Sequence, residues 1–270
     1  MNELHMERMT SPEIREAIDG GGRSVIVACG AIEQHGPHLP LFMDAEHGTR
    51  LASEVARRLG KTLVAPTIRV GCSEHHMSFA GSLSVSEATF EAVCRDYAVS
   101  LARHGFRFIF FLPTHGGNFA PLRAAVHRLN EAVSGAARVH AFTDLDGQIE
   151  VWRRAVEQES GLGDRVGGHA DIAETSIMLD LHPDLVREER ATAGYRGGLT
   201  PDILRRVFGE GIGAVTPNGI LGDARGASAA MGRRCIEDTA ALVAADFERI
   251  RAAAWDGAGA VGPDGSTVAR

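Results

Sequence analysis

Short apolar runs alternate with longer amphipathic stretches over much of the chain. Residues 24–29 (SVIVAC), 62–65, 106–112 (FRFIFFL) and 138–142 are β-branched or aromatic with little polar alternation, the pattern of parallel strands buried on both faces. Between them, Leu51, Val55 and Leu59 recur every four residues and stop at Gly60, while Phe90, Val93, Tyr97 and Leu101 repeat likewise between Ser86 and Gly105. These spacings predict helices with one buried stripe, the second capped by Ser86 and closed by Gly105. A third helix is predicted after Pro121, with Leu122, Val126, Leu129 and Val133 on one face, and a long fourth over 227–254. Ala173, Ile177 and Leu181 form another helical stripe, ended by Pro183. The order β-α-β-α-β-α-β predicts a doubly wound α/β fold in a single domain over 1–255. Residues 194–218, rich in Gly and Arg, predict loops or a short helix over the sheet's working edge. The Gly- and Pro-rich tail, 256–270, is predicted to be flexible or pinned by a neighbouring subunit.

Composition narrows the function. The 270 residues are 44% hydrophobic and 23% charged, enough for a sizeable core. Lys+Arg 28 against Asp+Glu 35 gives a net charge of −7, which repels phosphate backbones and anionic lipid, so no nucleic acid or membrane partner is expected. No apolar run approaches the roughly 20 residues of a membrane span, and the charged N-terminus is unlike a secretion signal. A cytoplasmic protein is the expectation. Cys29, Cys72, Cys94 and Cys235 are widely spaced, which predicts core thiols rather than a thiolate zinc site or a disulfide framework.

In open α/β sheets the ligand lies beyond the carboxyl ends of the strands. There the first strand is followed by Glu33, His35, His38 and Asp44. In extended chain, residues two apart point to one side, so Glu33 and His35 converge. Asp44 stands at a helix start, where it serves either as an N-cap or as a ligand turned back to the same place. After the strand at 106–112 come His115, Gly116, Gly117 and Asn118, an arrangement open to a metal-ligand histidine or to an anion cradled at a helix start. A third cluster places His169 just before a helix and Glu174 in or just after its first turn. Together Glu33, His35, Asp44, His115 and Glu174 form an oxygen and nitrogen set suited to zinc, manganese or iron, and one shared carboxylate allows two ions.

Glu33-Gln-His-Gly-Pro-His38, Thr114-His-Gly-Gly-Asn118, His169 five residues before Glu174-Thr-Ser, and Asn218-Gly-Ile-Leu-Gly-Asp223 resemble the creatininase (creatinine amidohydrolase) family from about residue 24 to 250. The resemblance implies a three-layer α/β/α fold with a mainly parallel central sheet, and a homohexamer. It implies a divalent metal centre, two ions per subunit, with Asp44 as the bridging carboxylate and Glu33, His35, His115 and Glu174 as the other ligands. His169 matches the family's proton-transferring histidine. In the segment from Gly71 to Gly81, which resembles a family loop, His76 stands on the histidine position and His75 replaces an acidic residue. These two, with Gly116, Gly117 and Asn118, are the expected substrate-binding residues, the Gly116-Gly117 amides as holders of an oxyanion.

Two departures point away from creatinine. Creatininase proper carries glutamate at the position of Gly117 and tryptophan at that of Arg165; glycine at the first resembles members related to formamide deformylases and to the mycofactocin-maturation peptidase. The expected activity is therefore metal-dependent hydrolysis of a non-peptide C–N bond in a cyclic amide, formamide or related small amide. A metallopeptidase trimming the end of a small modified peptide, and a noncatalytic metal- or ligand-binding relative, are the alternatives. A dinucleotide-binding reading of Gly209-Glu-Gly-Ile-Gly213 lacks both a preceding strand and a downstream acidic residue.

Overall fold

In the computed structural model, which describes residues 3–255, the chain enters through α1 (Ser11–Asp19), closed at its start by a Thr10–Glu13 capping box. The predicted flexible tail, 256–270, lies outside the described residues. The core follows as β1 (Ser24–Cys29), α2 (Met43–Leu59), β2 (Thr62–Val64), α3 (Glu87–His104), β3 (Phe108–Pro113), α4 (Gly116–Ala132) and β4 (Arg138–Ala141). All four strands are parallel, in the order β2-β1-β3-β4.

Strand alternation divides the apolar side chains between two faces. Val25, Val27, Cys29, Leu63, Ile109 and Phe111 pack against α1, α3 and α4. Ile26, Ala28, Val64, Phe110 and Leu112 pack with α2 and with three later helices, α5 (Leu145–Ser160), α6 (Ile172–Leu181) and α8 (Ala229–Trp255). The result is the expected three-layer α/β/α fold. Phe247 of α8 stacks on Phe110 at 4.3 Å and 7°, worth about 0.5–1.5 kcal/mol beyond the buried area.

Two helices differ from their expected form. Ser86 and Gly105 cap α3 as expected, but its buried stripe runs through Cys94 and Ala98, leaving Val93 36% exposed. Helix α4 begins at Gly116, before Pro121, which lies in its second turn and forgoes a single backbone bond. Helices α1 and α5 add to the predicted set.

Beyond the main sheet, β5 (Val166–His169) pairs antiparallel with β6 (Leu221–Gly222). The segment expected to cover the working edge contains α7 (Pro201–Glu210), whose Val207 packs with Ile212 and Leu221. No helix among the described residues is long and apolar enough to cross a membrane.

This topology places the site. From β1 the chain runs outward to β2 and then crosses back to β3 on β1's other side, so the segments leaving β1 and β3 diverge at the sheet's carboxyl edge and open a crevice.

Candidate metal centre

Three stretches meet at that crevice. The extended segment after β1 carries Glu33 and His35, and Gly30 lets it lie against α2: a Cβ there would come 2.5 Å from the Ala45 Cα. Asp44 is inside the first turn of α2, whose N-cap is Phe42. The capping alternative for Asp44 is thus replaced by an inward-turned carboxylate that still benefits from the helix N-terminus. His115 occupies the N-cap position of α4 without making a capping bond, and Thr114 Oγ1 donates to the Asp44 carbonyl at 2.7 Å, tying β3 to α2.

Asp171 sets the third stretch. Its Oδ2 accepts from Gly167 and Gly168, each at 2.8 Å, and its Oδ1 from Ala173 at 2.8 Å and Glu174 at 3.2 Å. One carboxylate therefore locks the tip of β5 to the start of α6 and fixes His169 and Glu174 together. Between them Ala170 adopts a left-handed φ of 52°, which turns its amide onto the Glu174 carboxylate.

The five proposed ligands converge. His115 Nδ1 lies 3.1 Å from Glu33 Oε1 and 3.4 Å from Asp44 Oδ2. His35 Nε2 lies 3.5 Å from Asp44 Oδ1 and 3.7 Å from Glu174 Oε2. All are buried, none more than 3% exposed. Asp44 thus turns one oxygen to each imidazole. Three three-residue groups result, each with ligand atoms within 4.8 Å of one another: Glu33–Asp44–His115 and His35–Asp44–Glu174, which share Asp44, and Glu33–His35–His169.

The outer hydrogen bonds assign the ring tautomers, because a carbonyl only accepts. His35 Nδ1 donates to the Glu33 carbonyl at 3.1 Å, and His115 Nε2 to the Cys72 carbonyl at 3.0 Å. Each ring is left with a lone pair aimed at carboxylates. Both Glu33 oxygens, Asp44 Oδ2 and His35 Nε2 consequently have no hydrogen-bond partner among the described residues. Acceptors do not satisfy one another in a buried space; cations do. Histidines held by carbonyls through the far nitrogen are the arrangement that fixes metal ligands. The donor set therefore fits zinc, manganese or iron.

The local electrostatics carry the same demand. Burial opposes charge on His35, but Asp44, Glu174 and Glu33 outweigh it and lift its pKa to about 10. Burial likewise opposes charge on His115, and Glu33 and Asp44 raise it. Burial, with Asp44 and Asp171 nearby, pushes Glu174 up to about 8 against the pull of His35. Asp44, although buried, is held below the usual carboxylate range by His35 and His115. In the cation-free chain these protons neutralise the carboxylates, and a bound cation displaces them.

Around this core, His169 Nε2 donates to the Gln34 carbonyl at 2.9 Å, leaving Nδ1 3.9 Å from Glu33 Oε1. Burial, then the charge on His35, keeps His169 well below its ordinary pKa. Gln34 Nε2 donates to the Gly219 carbonyl at 3.1 Å and to His76 Nδ1 at 3.0 Å; His76 Nε2 lies 3.3 Å from Glu33 Oε1 without a hydrogen bond to it. His75 stacks on His115 at 5.6 Å and 15°. His75, His76, Gly116 and His169 line the cleft together with Glu33, Asp44 and Glu174.

Two expected substrate contacts lie elsewhere. Asn118 accepts from Cys72 N and donates to the Cys29 and Gly30 carbonyls; it braces the loops behind the site and does not line the cleft. At Gly117 a Cβ would meet Cys72 O at 2.2 Å and His115 Nε2 at 2.5 Å, so glycine there permits the Cys72–His115 bond. Gln34, Asp171 and Gln148 were not among the sequence-based candidates. Asp171 precedes Glu174 at the spacing of an N-cap and N3 pair, and Gln148 belongs to the stripe Leu145, Ile149, Trp152 and Val156 after the capping Asp144.

The family profile described as "Creatinine amidohydrolase" matches residues 7–247. The chain belongs to the creatininase family. A mycofactocin precursor peptide peptidase from Mycobacterium ulcerans (strain Agy99) is 34% identical over 219 residues, covering 78% of this chain and 79% of that one. The creatinine amidohydrolase of Pseudomonas putida is 29% identical over 194 residues, covering 67% and 73%. A solved creatininase described with manganese superposes with a TM-score of 0.73 at 25% identity, covering 91% of this chain and 99% of that one. Membership in the creatininase family makes this chain an amidohydrolase-family enzyme and supports metal-dependent hydrolysis as its chemistry.

Proposed function

We propose that this protein hydrolyses a non-peptide C–N bond in a small amide, with cyclic amides and formamides as its substrate class, using two divalent cations. The observation that carries this reading is the pair of three-residue groups sharing Asp44, with unpartnered acceptors aimed between them. Glu33 and His115 would hold one ion, His35 and Glu174 the other, and Asp44 both. Such ions, when bound, would lower the pKa of a coordinated water to about 7 and supply a charge that polarises a carbonyl.

The remaining work falls to the chain. His169 holds Nε2–H on the Gln34 carbonyl, so Nδ1 would take the proton that water loses on attack and deliver it to the departing nitrogen. The Gly116 amide, at the start of α4 in a residue that lines the cleft, would stabilise negative charge on the carbonyl oxygen. Apolar walls from α5 and α7 around a cavity of about 70 Å³ limit bulk water and favour a small substrate.

The 34% identical peptidase favours a second reading, trimming the end of a small modified peptide. Hydrolysis of lactams, cyclic ureides and formamides by manganese- or zinc-loaded protein, compared with cleavage of short C-terminal peptides, separates the two. Turnover of peptides alone overturns the first. The family resemblance extends the proposal to a homohexamer, for which exposed Met77 and Leu83 offer apolar surface. Four buried free cysteines support a cytoplasmic setting.

A further inference from the structure

Gln148 lies one helical turn above Trp152 on the face of α5 that lines the cleft. It is 1% exposed, and its Oε1 has no hydrogen-bond partner among the described residues. Its neighbours on this wall are apolar: Leu145, Ile149 and the indole of Trp152, whose Nε1 is turned away to donate to Thr239 Oγ1 at 3.1 Å. The cations that would satisfy Glu33, Asp44 and His35 do not account for Gln148, which belongs to none of the candidate ligand groups. A buried, unpaired carbonyl is costly to keep, and Gln148 belongs to the wall of the cleft that a substrate enters.

We infer that Gln148 is a specificity-determining residue that reads the N–H of the substrate amide. Oε1 accepts from that N–H. The carboxamide also carries a donor beside this acceptor, so its best complement is an edge with N–H next to C=O, as in a lactam, cyclic ureide or primary amide. A tertiary amide of the same size leaves Oε1 unpaired and is rejected, because a site built to bond a polar group discriminates against a ligand lacking it. The inference rests on the amide-hydrolysing reading of the cleft and narrows its substrate class to N–H amides.

The test uses 2-pyrrolidinone and 1-methyl-2-pyrrolidinone as probes on manganese-loaded protein, with affinities measured by ligand-observed NMR and turnover followed separately. The wild type is expected to bind the N–H lactam at least about tenfold more tightly than its N-methyl counterpart. In Gln148→Met, similar in length without a hydrogen-bonding group, the ratio is expected to fall below about threefold. A structural role alone would weaken both probes together and leave the ratio unchanged. Equal wild-type affinities, or a ratio unchanged in Gln148→Met, overturn the inference. The wild-type comparison needs no variant to fold. Intact N–H preference without turnover of any amide supports the role of Gln148 and overturns the hydrolytic reading instead.

Discussion

Glu33 Oε1 and His115 Nδ1 lie 3.1 Å apart, and the far nitrogen of the His115 ring is already committed to the Cys72 carbonyl. Both atoms of this contact are therefore acceptors in the metal-ready state, brought together by neighbouring strands with Asp44 Oδ2 3.4 Å from the same nitrogen. Only a proton or a cation relieves that arrangement. His35, between Asp44 and Glu174 with its own far nitrogen on the Glu33 carbonyl, repeats it.

Removing the cations should cost stability. Treatment with chelator is expected to lower the melting temperature and abolish hydrolysis, and manganese or zinc to restore both, because ligands that bind only the folded state stabilise it by mass action. Differential scanning calorimetry before and after chelation, with metal content verified, measures this directly. An unchanged melting temperature would contradict it.

His169→Ala is expected to retain the full metal content of the wild type and to lose about 10²–10⁴-fold in kcat, the usual range for a positioned general acid–base group. Elemental analysis and steady-state kinetics on one preparation are sufficient. Loss of metal in parallel with activity would make His169 a ligand, an alternative that its inclusion with Glu33 and His35 in a third candidate group raises.

Gly117→Ala is expected to weaken metal loading without replacing a ligand. The added carbon would sit 2.2 Å from the Cys72 carbonyl and 2.5 Å from His115 Nε2, forcing apart the bond that fixes the ring. Cation affinity measured by competition with a chromophoric chelator should fall at least about tenfold, in line with the loss of an outer hydrogen bond to a ligand. Wild-type affinity would show that the loop yields.

Acid should destabilise the fold through histidines buried in neutral form. Burial, with the charge on His35 adding to it, lowers both His38 and His47 to about 4. The unfolded chain, titrating near 6.5, then binds more protons between pH 6.5 and 4. Stability rises with pH across that window, so acidification through it removes up to about 3 kcal/mol per residue. His47 also has neither ring nitrogen partnered among the described residues. His47→Leu is expected to match or exceed wild-type stability at pH 7 and to flatten the acid limb, read from urea unfolding at several pH values. An unchanged slope would contradict it.

The sequence made the sheet and the ligand positions legible to different degrees. Four apolar runs marked β1 to β4 to within two residues because strands buried on both faces admit almost nothing else. Glu33, His35, Asp44, His115 and Glu174 stood out as acidic and imidazole groups at strand ends and helix starts. Their mutual distances were not legible, since these depend on the order β2-β1-β3-β4, which brings β1 beside β3. Asn118 looked like a pocket residue because it follows the two glycines, but the first turn of α4 carries it behind the site onto the Cys29 and Gly30 carbonyls. The tautomers of His35, His115 and His169 depend on backbone carbonyls, which no residue identity reveals.

The metal content of Asp44→Ala beside the wild type, both loaded with manganese, freed of excess and analysed by mass spectrometry of the elements, tests the paired centre most directly. The expected result is close to two ions per chain in the wild type and well under one in the variant, because Asp44 supplies an oxygen to each position. A variant carrying as much manganese as the wild type, or a wild type that retains none, would contradict the account.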